Sequence, residues 1–308
     1  MLRPGGPLLN ITSVRRGCRV QAPAKVNLTL RVLGVRPDGY HTLESVVAGV
    51  DLCDTLTVEP AEVLSLTCDG RAVPEGDDNL VLAAARALQE VCGEAAGARM
   101  HLAKRIPPGR GFGGGSSDAA AALAALNAMW GGGLEVEALA RLGARLGSDV
   151  PLFFGPGMAV MRGRGETIEP VAARCRWYLA LAWPEEELAT PQVYKAYDRL
   201  PAGEDEGPSA TDILKRLDGA ARDAGPFLVN DLERAADNVK RSRLDLRACL
   251  HRAGAEAVGM TGSGSAYFAV ADSEGEARQW AETVRAAGAE VHVARLLGGR
   301  TKQQGNTS

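Results

Sequence analysis

From Arg19 to Thr67 apolar and polar residues largely alternate, the period of strands with one covered face. Val26, Leu28, Leu30 and Val32 fall on one side of the first run, and Lys25, Asn27, Thr29 and Arg31 on the other. Pro37-Asp38-Gly39 has the residues of a tight turn, and Asp51 to Asp54 reads as another. Strand-like runs follow at Leu56–Val58 and Leu64–Thr67, the second closed by Asp69-Gly70. The period then changes. With Asp78 or Asn79 as N-cap, a helix is predicted to about Cys92, turning Leu80, Ala84, Ala87 and Leu88 inward. A strand over Arg99–Ile106, a glycine-rich loop and an alanine-rich helix from Ser116 to about Met129 come next. After Gly131–Gly133 another helix spans roughly Glu135–Leu146, stopped by Gly147-Ser148-Asp149 and Pro151.

Further strands are predicted near Met158–Arg162 and Trp177–Ala182, and an acidic solvated loop at Pro201–Pro208. The last third alternates: helix Leu244–Ala253, strands Ala255–Thr261 and Tyr267–Val270, helix Glu274–Ala287 and strand Val291–Ala294. Strands grouped before helices, rather than strictly alternating with them, point to an α+β architecture with a boundary near residue 165. At 308 residues the chain exceeds the size at which one core stops growing, so two domains are expected. These are 17–165 and 166–298, with 1–16 and 299–308 as disordered ends.

The net charge of -3 argues against nucleic acid as a partner, because that footprint needs a basic domain. A few local cations would still suit a small anionic substrate. The six cysteines form no CxxC pair and the four histidines no HxxxH or HExxH pattern, so no zinc site is expected. Thiols so sparse read as reduced, in a cytoplasmic protein. No apolar run nears the roughly 18 residues of a membrane span, and Met1–Arg16 lacks the pattern of a signal peptide.

The strongest local chemistry lies in Pro107, Pro108, Gly109, Arg110, Gly111, Phe112, Gly113, Gly114, Gly115, Ser116 and Ser117. Its glycines remove the Cβ atoms that would hold a phosphate away from the backbone. The helix that follows offers unpaired N–H groups at the positive end of its dipole, and the two serines add hydroxyl donors. A flexible linker is a poorer reading, because a strand and a well-formed helix bracket the loop. Gly111–Ser116 satisfies GxGxxS, yet Lys104, Arg105, Pro107 and Pro108 separate it from the strand that a dinucleotide fingerprint should follow directly. A Walker A loop needs a terminal Gly-Lys-Ser/Thr, and no lysine is there.

Three segments in this order, Pro23-Ala24-Lys25-Val26-Asn27-Leu28, the glycine loop and Met260-Thr261-Gly262-Ser263-Gly264-Ser265, resemble the signature motifs of the GHMP kinase superfamily. Arg36-Pro37-Asp38-Gly39-Tyr40-His41, Gly147-Ser148-Asp149-Val150-Pro151 and Thr190-Pro191 narrow the likeness to a branch acting on a cytidine diphosphate-linked methylerythritol. The resemblance covers roughly residues 20–297. It implies a GHMP kinase fold: an N-terminal β-rich α+β domain, like ribosomal protein S5 domain 2, and a C-terminal ferredoxin-like domain, with the site between them. It also implies ATP as phosphoryl donor, with its Mg2+, and the 2-hydroxyl of the cytidyl diphospho-methylerythritol as acceptor, on the non-mevalonate route to isoprenoid precursors.

By the same resemblance Lys25 and Asp149 are the catalytic pair, with Asp149 as the base. Tyr40 and His41 hold the cytosine, Asn27 lies near the reacting hydroxyl, and Thr190 and Tyr194 contact the erythritol phosphate and cytidine regions. Thr261, Gly262, Ser263 and Gly264 bring donors from the other domain. No carboxylate cage for Mg2+ is evident in the sequence; the ion is expected to come with ATP, with the Ser117 hydroxyl as a contact and no protein ligand assigned. Arg110 and Phe112 stand where the family more often has small or aliphatic residues; Arg110 is expected to meet phosphate or water. A monomer or weak homodimer is expected. Other GHMP kinases, acting on a sugar, homoserine or mevalonate, and a non-catalytic nucleotide-binding module remain the alternatives.

Overall fold

The computed structural model describes residues 8–93, 97–171, 175–201, 207–242 and 244–297. The alternating N-terminal third builds most of one mixed sheet. Its strands are β1 (Asn10–Val14), β2 (Gly17–Asn27), β3 (Arg31–Val35), β4 (His41–Ala61) and β5 (Ser65–Gly70). Helix α1 (Leu80–Cys92) starts where Asn79 accepts the Val81 N–H, and it ends at Gly93 in the left-handed conformation. It carries the chain from β5 to the parallel strand β6 (Gly97–Lys104). Helices α2 (Gly114–Trp130) and α3 (Val136–Ala144) follow, and strands β7 (Met158–Gly163) and β8 (Thr167–Pro170) complete the eight-stranded sheet.

Strand β4 is the spine, pairing with β2, β3, β6 and β7. Asp51 to Asp54, expected to turn the chain, lies within this strand. Opposite it Pro23 has no N–H for the ladder, and the register slips between Pro23↔Cys53 and Ala24↔Val50. The excess is absorbed as a bulge. The amino end also departs from expectation: β1 pairs with β2 from Asn10↔Gln21 to Val14↔Gly17, so residues 10–14 belong to the fold. The other part of the expected disordered ends, 1–7 and 299–308, lies outside the described residues, as does most of the expected loop at 201–208. The boundary expected at 165 falls inside the β7–β8 hairpin, which stays in the first sheet through Pro170.

The second sheet comprises β9 (Tyr178–Trp183), β10 (Val258–Met260), β11 (Tyr267–Ala271) and β12 (Glu290–Arg295). Between β9 and β10 run α4 (Thr190–Tyr197), α5 (Ala210–Leu214), α6 (Glu233–Val239) and α7 (Leu246–Arg252), and α8 (Glu274–Ala286) joins β11 to β12. The antiparallel order β10-β11-β9-β12 is that of a ferredoxin-like βαββαβ unit.

The two sheets share an apolar seam. Ala24, Val26, Leu28 and Phe112 from one side pack in a common core with Trp177, Leu181 and Phe268 from the other. Backbone bonds fasten its edges, Leu30 N–H to Val229 O at 2.8 Å and Leu297 N–H to Gly49 O at 2.7 Å. Beneath the glycine loop most of α2 is buried, Ala119–Ala122 fully so, as suits a helix enclosed between α1 and β2.

Candidate active site

A cleft of about 890 Å³ opens where the sheets meet, within the range of pockets that enclose nucleotide-sized ligands. Its floor is the glycine loop. Gly109, Gly111 and Gly113 take positive φ values of 64°, 82° and 69°, conformations that L side chains rarely adopt. Gly113 is the N-cap of α2 and has no side chain to satisfy the helix's first N–H groups, which stay available to an anion. A Cβ on Gly114 would stand 2.8 Å from the Lys104 ammonium, and one on Gly113 would stand 3.0 Å from Lys25 Cγ. The loop is thus glycine because two lysine stems press against it from below and beside.

Lys25 lies in the buried last half of β2, with its N–H given to Phe112 O at 2.9 Å. Its ammonium donates to Asn27 Oδ1 at 2.6 Å and lies 3.5 Å from Asp149 Oδ2. Asp149 stands at the N-cap position of the 3-10 turn Val150–Phe154, whose first turn contains Pro151. The lysine side chain is 6% exposed and the aspartate 34%, so the carboxylate is the partner open to the cleft. Asn27 joins three segments: Oδ1 also accepts from Gly262 N–H at 2.9 Å, its N–H donates to Thr261 Oγ1 at 3.0 Å, and Nδ2 donates to Ser45 Oγ at 2.8 Å.

Of the third-motif residues, Gly262 and Ser263 line the cleft, and Ser263 Oγ meets Thr190 Oγ1 at 2.8 Å. Thr261 is wholly buried. Gly264 packs away from the cleft, a Cβ there meeting Met260, Leu188 and Ala236. At the far end Tyr40 is 54% exposed, with the Arg164 guanidinium 3.9 Å above its ring. His41 stacks on Tyr194 at 4.8 Å and its Nε2 lies 2.8 Å from Asp198 Oδ1. Burial first, then the charge of Asp149, pushes the Tyr194 phenol up to about 12, so it remains a neutral hydroxyl.

Three loop residues sit differently from their expected roles. The Arg110 guanidinium is turned into the protein: it donates to the carbonyls of Pro184, Glu185 and Pro108 and pairs with Glu187 at 3.3 Å, tying the loop to the chain after β9. The Phe112 ring is buried edge-on against Trp183 at 5.5 Å. Ser116 lines the cleft, whereas the Ser117 hydroxyl is buried and has no hydrogen-bond partner.

Under the loop lies a charged cluster that sequence reasoning passed over. Lys104 Nζ is 2.5 Å from Asp54 Oδ2 and 2.6 Å from Asp118 Oδ2, all three side chains being nearly inaccessible. Asp54 Oδ1 also accepts the N–H groups of Arg105 and Ile106 at 2.6 and 2.8 Å. Burial works against the Lys104 charge, but Asp118 and Asp54 outweigh it and hold its pKa above the usual lysine range. Burial pushes the Asp118 carboxyl up to about 8. One ammonium facing two carboxylates in a dry site opposes ionisation of the second. The signal for this cluster was faint: Asp118 directly after Ser116-Ser117, and Lys104 at the end of its strand. Arg164, Lys195 and Asp198 also line the cleft unannounced by any pattern, save that Arg164 stands between two glycines, and Leu80, read as a core position of α1, faces the cleft as well.

Two family models match the chain, GHMP kinases N terminal domain over residues 79–157 and GHMP kinases C terminal over residues 213–290. The 4-diphosphocytidyl-2-C-methyl-D-erythritol kinase of Salinibacter ruber is 37% identical over 278 residues, covering 88% of this chain and 96% of that protein. The kinase of the same name from Rhodococcus jostii is 40% identical over 305 residues, covering 93% and 97%. A crystal structure of 4-(cytidine 5'-diphospho)-2C-methyl-D-erythritol kinase superposes with a TM-score of 0.77 at 39% identity, covering 91% of this chain and all of that one. Identity at this level over nearly the whole of both relatives, on a chain whose halves each match a GHMP kinase model, has one reading: the chain belongs to the 4-diphosphocytidyl-2-C-methyl-D-erythritol kinase family of GHMP kinases.

Proposed function

We propose that the protein transfers the γ-phosphoryl group of ATP to the 2-hydroxyl of 4-diphosphocytidyl-2-C-methyl-D-erythritol, with Lys25 and Asp149 as its catalytic pair. The observation that carries this reading is the 3.5 Å approach of Lys25 to Asp149 beside a glycine loop, in one cleft with the Tyr40–His41 end. Phosphoryl transfer asks a protein for positioning and charge stabilisation more than for covalent chemistry. Asp149, open to the cleft, accepts the proton of the 2-hydroxyl as the oxygen–phosphorus bond forms. The bond from the γ-phosphorus to the bridging oxygen breaks, and ADP leaves with that electron pair. Lys25, held by Asn27, keeps Asp149 ionised and offsets negative charge at the reacting oxygen. The N–H groups at Gly113–Ser116 serve as donors to the phosphates of ATP.

No group of three or more His, Cys, Asp or Glu among the described residues converges on a metal position. Mg2+ therefore fits as the ATP salt, held by phosphate oxygens and water with a hydroxyl such as that of Ser116, and when bound it neutralises phosphate charge. Tyr40 and Tyr194 offer aromatic faces for the cytosine, His41 a polar edge, and Thr190 and Ser263 hydroxyls for the substrate. No helix among the described residues is long and apolar enough to cross a membrane, which suits a cytoplasmic enzyme.

Coupled ADP release tests the reading. The cytidyl substrate should drive turnover, while homoserine, mevalonate and free sugars should not. Equal release with any of those three, or none with the cytidyl compound, would overturn it.

A further inference from the structure

We propose that Arg110 is a positioning residue: it carries the seating of a triphosphate on the glycine loop across to α4, and so holds the donor and acceptor halves of the cleft in one register. The inference rests on the reading given above, with ATP on the loop and the acceptor beside α4. Between Gly109 and Gly115 only Arg110 and Phe112 carry side chains. Both reach the same stretch of chain, at the end of β9 and just after it. Phe112 meets Trp183 edge-on, with ring centroids 5.5 Å apart. The Arg110 guanidinium donates to Pro184 O at 3.1 Å and to Glu185 O, and it pairs with Glu187 Oε1 at 3.3 Å. It also donates to Pro108 O at 3.2 Å, within the loop itself, so one planar group fastens the loop and the segment together. The Glu187 carboxylate lies against the same loop, a Cβ on Gly109 standing 3.0 Å from Oε2.

The segment leads directly to the acceptor side. Only Leu188 and Ala189 separate Glu187 from Thr190, the first residue of α4, and Leu188 is buried in one core with Val193 of that helix. A shift of the segment therefore moves Thr190 and Tyr194, and Thr190 Oγ1 in turn meets Ser263 Oγ of the third motif at 2.8 Å. On its other side the segment is held by its own half of the chain. The Glu186 carboxylate accepts the N–H groups of Arg241 and Ser242 at 2.8 and 2.7 Å, and Glu186 O accepts from Ser265 Oγ at 2.7 Å. None of these bonds involves the glycine loop, so they keep the segment in place when Arg110 is replaced. The residue type matters. A guanidinium sets several N–H donors at fixed angles and serves three carbonyls and a carboxylate at once, whereas an ammonium is a single point. A ligand that orders the loop thereby lowers the cost of ordering α4, and by linkage the reverse holds.

Hydrogen exchange of the intact protein, with and without a non-hydrolysable ATP analogue, reads this without turnover. In wild type the analogue should slow exchange at residues 111–116 and also, by roughly fivefold or more, at residues 185–189. In Arg110→Met the first effect should remain, while the second shrinks to less than about twofold. Arg110→Lys keeps the buried charge beside Glu187 but not the fork, so it should lose the transmission too, and it decides the matter if the methionine variant does not fold. In turnover Arg110→Met should lower kcat by roughly tenfold to a hundredfold with both KM values within about threefold, because each half keeps its own groups and only their mutual placement is lost. Protection confined to the loop in wild type would overturn the proposal, as would protection that reaches 185–189 undiminished in both variants. So would raised KM values with kcat intact, the mark of a residue that only builds the pocket. An analogue that leaves the loop itself unprotected would sink the nucleotide reading and this proposal with it. Failure of the cytidyl compound to accept phosphate counts against the proposed substrate alone, since the exchange result stands without it.

Discussion

Asn27 and Gly262, 235 positions apart, meet through a 2.9 Å hydrogen bond from the glycine N–H to the asparagine amide oxygen. The same oxygen receives the Lys25 ammonium at 2.6 Å. One buried side chain therefore ties the third motif of the second half to the lysine of the first, so the lysine's position depends on the contact between the two sheets. Asn27→Ala leaves the Gly262 N–H and the ammonium each without this partner. We expect a loss of about 1–3 kcal/mol in stability, a fall of a few degrees or more in Tm, and a drop in kcat of at least tenfold. Calorimetric melting with steady-state kinetics measures both. A variant that melts as wild type and turns over normally would show that Asn27 does not organise the site.

Lys25→Ala and Asp149→Asn should each lower kcat by roughly 10²–10⁴-fold, the range for losing a positioned general base or its partner. The KM for ATP should stay within severalfold, because the backbone donors of Gly113–Ser116 do not depend on either side chain. Paired kcat and KM values for the two variants decide this. Near-normal turnover by either one removes it from the catalytic pair.

The parts legible before any coordinates were those with local causes. The α1 boundaries follow from the apolar period and the Asn79 cap, and the glycine loop from residues whose left-handed φ disfavours side chains. Strand β4, by contrast, reads as broken at Asp51 to Asp54, because two aspartates resemble a turn when the bulge opposite Pro23 is not visible. Strand β1 was missed because its burial pattern is mostly exposed and its reason for existing is the edge of β2. Helix α4 escaped because only Val193 of its eight residues is buried, which leaves no apolar period to read. The Lys104–Asp54–Asp118 cluster assembles residues 50 and 14 positions apart, and no local pattern reports that kind of meeting. Arg110 was open to a phosphate or solvent reading because its partners, the carbonyls of Pro184 and Glu185, belong to a distant segment.

Asp118 should make stability depend on pH. Its folded pKa is raised to about 8 by burial, against about 3.9 for an unfolded aspartate. Between those values the folded chain keeps a proton that the unfolded chain has released. The contribution is thus full below about pH 3.9 and is lost as pH rises toward 8. Asp118→Asn keeps the shape and abolishes the titration, so its Tm relative to wild type should climb steadily from about pH 5 to pH 8 and then level. A difference in Tm that stays flat over that interval would mean the carboxyl is ionised in the fold.

Gly111→Ala should separate the two halves of the site. Its φ of 82° is unfavourable for alanine, and a Cβ would collide with the Thr261 carbonyl oxygen. Backbone cannot yield as a side-chain tip does, so the third motif must retreat from the glycine loop. We expect kcat/KM for ATP to fall more than tenfold, at a destabilisation of roughly 1–3 kcal/mol. Gly115→Ala is the control, because its φ is ordinary and its nearest neighbour, Leu80 Cδ1, stands at 3.6 Å. Equal kinetics for the two variants would deny the loop its tight fit.

The end of the cleft proposed for the cytosine supplies the last test. With His41 Nε2 donating to Asp198 at 2.8 Å, the neutral ring keeps Nδ1 as an acceptor. An acceptor suits the 4-amino group of cytosine and opposes the 4-oxygen of uracil. The uridine analogue of the substrate should therefore react with kcat/KM reduced by roughly tenfold to a hundredfold, the cost of setting two acceptors face to face in a confined site. Asp198→Asn offers His41 either a donor or an acceptor, so the ring is free to reverse its tautomer and present N–H to the base. Discrimination between the two substrates should then narrow, chiefly by improved use of the uridine compound. If Asp198→Asn slows both substrates alike and their ratio holds, the histidine is a wall of the pocket and not its reader.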